Sequence, residues 1–155
     1  MDLAFTHKFQ AEPAKVVDLF RNEAFIADLA KHAGATSHSV SISDDATSLD
    51  MQLPTPANVA TFIGKTVRLV MRFAFKPSGG DGSYQGNVDV DVPGMPVDVA
   101  AKAVLKPTAK GSEGVYSGTL KVKIPLVGKK AEAQIEPFII RAFNQVEKRA
   151  NHWLS

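Results

Sequence analysis

The chain has 155 residues, of which 45% are hydrophobic and 22% charged, a balance typical of one globular domain over residues 1–155. The net charge of +2 is too small to indicate a nucleic-acid partner, and the absence of cysteine excludes disulfides and thiolate chemistry. The start of the chain has no signal-peptide pattern, and no stretch approaches about 18 consecutive apolar residues. The sequence therefore predicts a cytoplasmic protein without stable membrane insertion.

The first four-fifths of the chain predict a sheet with two short helices near its start. Apolar residues alternate over residues 3–9, which predicts a strand with His7 on its inward face. Two short helical stripes follow between residues 13 and 33. From residue 36 to residue 124 the apolar period is two, and Asp, Gly and Pro residues separate six further strands. Since these connections are short enough for hairpins, we expect an antiparallel sheet of about seven strands.

One segment of this region is irregular. Residues 54–64, PTPANVATFIG, contain two prolines and place apolar Phe62 on a predicted loop, in which residues 58–63 are compatible with a helical turn. We interpret this loop and the PGMP turn at residues 93–96 as candidate gates of a binding site.

The last part of the chain predicts a long amphipathic helix. From residue 131 to residue 154 apolar residues recur at steps of three and four, the period of one helix face. Such a stripe needs a broad apolar surface, which the predicted sheet supplies. The sequence thus predicts an α+β fold in which a curved antiparallel sheet wraps around the C-terminal helix.

Four short motifs strengthen this expectation. They are LPTP at 53–56, DGSYQG at 81–86, PGMPV at 93–97 and IPLVGKKAE at 124–132. With the order of elements, they make the chain resemble the START-like superfamily, also called the helix-grip or polyketide-cyclase-like fold, and within it an uncharacterised bacterial branch. The resemblance implies an elongated cavity between the sheet and the last helix that takes a lipid or another hydrophobic small molecule.

The inward faces of the predicted strands are consistent with such a cavity. They carry no charged residue and mix bulky side chains with small ones such as Gly86 and Ala103. The candidate ligand-binding residues are His38, Met51, Phe62, Met71, Phe73, Tyr84, Ala101, Tyr116 and Phe138. We expect affinity to come mainly from apolar contact, with one or two polar groups setting orientation.

Two other functions are compatible with the sequence. A cyclase, aromatase or hydrolase would need a proton-transfer group, and His38 is the preferred catalytic candidate because it lies in the middle of a predicted strand. A protein-interaction module with a filled core could instead use the basic residues Lys121, Lys123, Lys129 and Lys130, which also suit acidic lipid. No metal motif or cofactor motif occurs, and a homodimer is possible.

Overall fold

A computed structural model describes the backbone of residues 1–155 and every side chain except those of Phe62 and Ile63. Seven strands form one antiparallel sheet. They are β1 (Asp2–Phe9), β2 (Ser37–Ile42), β3 (Thr47–Pro54), β4 (Thr66–Ser78), β5 (Ser83–Asp91), β6 (Val97–Thr108) and β7 (Gly111–Val122). Their order across the sheet is β1-β7-β6-β5-β4-β3-β2. Each strand from β2 to β6 therefore pairs with the next one along the chain, and β7 pairs with β1.

Four helices accompany the sheet. They are α1 (Pro13–Phe20), α2 (Glu23–His32), α3 (Ala57–Ile63) and α4 (Gly128–Leu154). The predicted fold, with two short helices after the first strand and a long C-terminal helix, is confirmed. In residues 54–64, the helical turn that the sequence allowed within the predicted loop forms as α3, which buries Val59. None of the described helices is long and apolar enough to cross a membrane.

The strand register places the predicted inward residues on one face. Phe5 lies opposite Tyr116, and Tyr116 lies opposite Ala103. Farther along the sheet, Val88 pairs with Phe73. Because paired residues project from the same side of an antiparallel sheet, these pairs belong to one continuous apolar face. This face contains most of the core.

Helices α1 and α2 begin where the sequence contains the appropriate signals. Pro13 occupies the first turn of α1, where its missing N–H leaves no hydrogen bond unmade. The side chain of Asn22 accepts hydrogen bonds from the backbone N–H groups of Ala24 and Phe25, and so caps α2. The break between the two helices is therefore encoded locally.

Polar contacts hold α4 near both of its ends. Toward its start, the Asn58 side chain of α3 donates a 3.0 Å hydrogen bond to Gln134. Toward its end, the Glu147 carboxylate accepts a 2.7 Å bond from the backbone N–H of Lys8, and the Asn151 amide bonds the Lys8 carbonyl at 2.8 Å. Since β1 is an edge strand, these contacts also satisfy backbone groups that no other strand pairs.

Candidate functional site

The apolar side of α4 is fully buried only near the ends of the helix. Ala131 and Ile135 are buried in its first turns and Ala150 in its last turns. None of residues 136–149, all of which are described, is buried. The half-buried apolar side chains in this middle portion that pack toward the core are Phe138, Ile139, Phe143 and Val146. The middle of the helix thus keeps apolar surface that the protein does not cover.

The inward face of the sheet shows the same incomplete cover over β4 and β5. The inward side chains of β6, from Val97 to Leu105, are buried. Those of the nearby strands β4 and β5 include six half-buried residues, which are Leu69, Met71, Phe73, Phe75, Tyr84 and Val90. We call these six residues, together with the four of α4, the central recess. The side chains of these ten residues are apolar, apart from the hydroxyl of Tyr84.

A buried histidine–tyrosine pair forms one wall beside the recess. His7 is only 2% exposed, and its Nδ1 lies 3.2 Å from the hydroxyl of Tyr116. The Nε2 atom of His7 has no described hydrogen-bond partner. Burial lowers the pKa of His7, while the Glu147 carboxylate and the backbone of Phe143 offset part of that change. Burial also raises the pKa of the Tyr116 hydroxyl, so the pair is neutral at physiological pH.

Phe143 connects this wall to α4. Its ring stacks on Phe5, with centroids 4.4 Å apart, and contacts Tyr116 edge-on at 5.7 Å. It also lies 5.8 Å from the His7 ring. Sequence reasoning placed Phe143 on the helix stripe but not among the ligand-binding candidates. Its spacing of four from Ile139 and of three from Val146, on the same stripe, was the available signal.

Small inward residues do not leave the space that the sequence suggested. A Cβ on Gly86 would lie 2.6 Å from the Phe75 ring, and one on Gly118 would lie 2.0 Å from the carbonyl oxygen of Ala100. Neighbouring groups therefore already occupy these positions. Ala101 and Ala103 are buried as well. The uncovered surface therefore does not arise from these small side chains.

The predicted binding residues fall into distinct groups. Met71, Phe73, Tyr84 and Phe138 are half-buried and lie in the central recess. The buried ones are Met51, Ala101 and Tyr116. The side chain of Phe62 lies outside the described part of the chain.

His38 requires a correction to its expected environment. It pairs with Met51 and therefore projects from the inward side of the sheet, as predicted. However, β2 is an edge strand, and His38 is exposed to solvent. A catalytic role for His38 would need a site shielded from water, and that shielding is absent at this position.

Two depressions are described on the surface. One, of about 690 Å³, lies beside the connection between β7 and α4 and includes Leu120, Ile124 and Lys129. The other is about 50 Å³, room for roughly one or two water molecules, and reaches Phe73 and Phe75 from the Asp44–Asp45 turn. The smaller depression therefore connects recess residues with solvent. Among the described side chains, no cluster of His, Asp and Glu could hold a metal ion.

The sheet, the paired helices after β1 and the long C-terminal helix together define a START-like, helix-grip fold. TTHA0849 from Thermus thermophilus has this architecture, with a TM-score of 0.65 and 16% identity over 100% of both chains. Human StAR-related lipid transfer protein 5 gives a TM-score of 0.61 at 14% identity, covering 99% of this chain and 77% of that one. Ara h 8.0201 gives 0.57 at 13% identity over 97% of each chain. At these identities the likeness establishes the fold alone.

The chain belongs to the family described as protein of unknown function (DUF2505), whose family model matches residues 4–154. A comparison with curated proteins found no match.

Proposed function

We propose that this protein binds one apolar or amphipathic molecule, such as a lipid, in the central recess. The observation that carries the proposal is the uncovered middle of α4, where half-buried Phe138 and Phe143 pack on the same core as half-buried Phe73 of β4. Interiors are normally packed to crystal-like density, so two incompletely covered apolar surfaces in one core favour an occupant. One structural relative, human StAR-related lipid transfer protein 5, is named for lipid transfer.

The chemistry of the recess specifies what kind of molecule fits. Its walls offer aliphatic and aromatic surface, and each Å² of apolar contact removed from water is worth roughly 25 cal/mol. Among the recess residues, Tyr84 supplies the single hydroxyl that can orient a polar group. A charged group placed deep inside would lack a described counter-charge and would be unfavourable. We therefore expect a long apolar body with its polar end toward solvent.

A tryptophan substitution inside the recess tests this proposal. Met71→Trp adds volume among half-buried side chains, and we expect it to reduce binding of dansyl-labelled undecanoic acid at least ten-fold while the protein stays folded. The matched control is Arg72→Trp, since Arg72 is the next residue and is exposed on the opposite face of β4. Ala101 is a poorer choice because it is buried against Gly118, where added volume would disturb packing.

The measurement combines probe fluorescence with native mass spectrometry of the purified protein, which detects a co-purifying passenger. Equal probe affinity in Met71→Trp and Arg72→Trp would contradict binding in the recess. Absence of both passenger and probe binding in the unmodified protein would instead favour the interaction module. A hydrolase or cyclase centred on His38 has less support, because that histidine is exposed on an edge strand. A cytoplasmic location and a homodimer stay predictions from the sequence.

A further inference from the structure

The connection between β7 and α4 projects from the end of the sheet. A Cβ on Gly128 would lie 2.6 Å from the carbonyl oxygen of Val122, so the start of α4 lies directly against the last residue of β7. The five residues 123–127 join two points in close contact and must loop outward. Within this loop Leu126 is fully exposed, with a relative accessibility of 105%.

The backbone of Leu126 is as unusual as its exposure. Its φ of 69° lies in the left-handed region, which is unfavourable for leucine and natural for glycine or asparagine. No described residue covers this side chain, so no burial offsets the unfavourable conformation. A leucine that is strained and fully exposed suggests stabilisation by something outside the chain.

The 93–96 turn lies beside the loop of residues 123–127 and adds another exposed apolar side chain. The backbone N–H of Lys123 donates a 2.7 Å hydrogen bond to the carbonyl of Pro96, which holds the 93–96 turn beside the β7–α4 connection. Met95 in that turn is 40% exposed, and Val127 is 38% exposed. We call Met95, Leu126 and Val127 the apolar tip. Three exposed apolar side chains thus lie at one end of the molecule.

Lysines accompany the apolar tip. Lys121, Lys129 and Lys130 are exposed, and no ion pair is described for any of them. Lys123 pairs with Asp98 at 2.9 Å, which offsets its charge. The first turn of α4 carries no acidic residue, so its N-terminal dipole adds to the positive charge there.

We propose that the apolar tip docks on an anionic lipid bilayer, with Leu126 inserted and the three lysines over the head groups. The combination of exposed apolar side chains and adjacent lysines matches the apolar interior and negative surface of such a bilayer. This inference rests on the proposed lipid-binding function. The strand registers place the end of β3 and the start of α3 at the same end of the sheet as the apolar tip. Docking there would place the β3–α3 connection next to the membrane.

Vesicle sedimentation tests the apolar part of the contact. The full chain should bind phosphatidylcholine vesicles that contain roughly one-third phosphatidylserine, and bind pure phosphatidylcholine more weakly. Leu126→Asn keeps a residue that tolerates positive φ and should reduce binding about ten-fold, the effect expected for losing one inserted leucine. Ile140→Gln, at a residue 37% exposed on α4, is the matched control and should bind as the unmodified protein does.

Two further measurements test the charges and the insertion itself. Replacing Lys121, Lys129 and Lys130 by Gln should weaken binding to anionic vesicles by roughly five-fold per lysine and reduce its salt dependence. Because the chain contains no cysteine, Leu126→Cys can carry a single polarity-sensitive fluorophore. Its emission should rise and shift to the blue when vesicles are added, whereas a label on Ile140→Cys should not respond.

The outcomes separate this inference from the proposed function. Loss of vesicle binding in Leu126→Asn with unchanged binding of dansyl-labelled undecanoic acid supports docking. If that variant loses the probe instead, Leu126 belongs to the ligand site and the docking proposal is overturned. It is also overturned if the unmodified protein ignores anionic vesicles, or if the label on Leu126→Cys responds only to protein concentration, which would indicate self-association.

Discussion

Arg149 of α4 and Asp28 of α2 form a two-pronged ion pair that joins elements more than a hundred residues apart. The Nε of Arg149 donates to Asp28 at 2.8 Å, and a second guanidinium nitrogen donates to the other carboxylate oxygen at 3.3 Å. The indole N–H of Trp153 donates to the same carboxylate at 3.1 Å. The end of α4 is therefore held to α2 by a shared acceptor.

Removing this ion pair should loosen the C-terminal part of α4. We expect Arg149→Ala to lower the free energy of unfolding by about 1–2 kcal/mol, the range for charge-assisted bonds that are partly buried. Arg141→Ala, at an exposed arginine of the same helix for which no ion pair is described, should change it by less than about 0.5 kcal/mol. Urea unfolding curves provide the comparison, and equal midpoints for the two variants would contradict the assignment.

The same pair predicts a change in acid stability. Burial alone would raise the pKa of Asp28, but hydrogen bonds from Arg149 and Trp153 outweigh it and hold the pKa below its usual value. The stabilisation is therefore present above about pH 4 and is lost as the pH falls through the lowered pKa. In Arg149→Ala the pKa of Asp28 returns toward normal. Free energies of unfolding measured at a series of acidic pH values should show that Asp28 stabilises Arg149→Ala less than it stabilises the unmodified protein. The variant should also lose this contribution at a higher pH.

His7 predicts a second, milder pH dependence. Burial lowers the pKa of His7 below its unfolded value of about 6.5. Between the folded and the unfolded pKa, the unfolded chain therefore binds more protons than the folded one. Stability should be full above about pH 6.5 and decline as the pH falls toward the pKa of the folded state. His7→Leu should remove this decline, while His38→Gln, at an exposed histidine, should retain it. Chemical unfolding across this pH range is the measurement. If His7→Leu kept the decline in stability and His38→Gln lost it, a group other than His7 would cause the pH dependence.

We expect position 118 to tolerate no residue larger than glycine. A Cβ there would lie 2.0 Å from the Ala100 carbonyl, so Gly118→Ala must displace backbone on β6. We expect a loss of about 3 kcal/mol in unfolding free energy. Gly80→Ala is the matched control, because nothing lies within 4 Å of its added Cβ. Thermal and urea unfolding of both variants would test this, and similar stabilities would count against the close approach of the two strands.

The sequence predicted the sheet and its inward face well. Side-chain direction in a strand follows a period of two, so the inward positions of Phe73 and Tyr116 could be inferred from local patterns. The same reasoning placed His38 correctly on the inward side of β2. It could not show that His38 is exposed, because exposure depends on β2 being the edge strand and on where the helices end.

The candidate site was only partly predictable. Met71, Phe73, Tyr84 and Phe138 were identified from their position on apolar faces, and the structure places them in the central recess. The role of Phe143 was missed, because its stacking on Phe5 joins residues far apart in the chain.

The sequence by itself determined which segments are strands and helices, which side of each is apolar, and the α+β fold that these patterns require. Only the tertiary structure decided where the apolar surfaces stay uncovered. The middle of α4 remains half-buried, while polar contacts near its ends join it to α3, α2 and β1. Leu126 is exposed because Gly128 must lie against Val122. Both features depend on contacts between distant residues, which local periodicity does not encode.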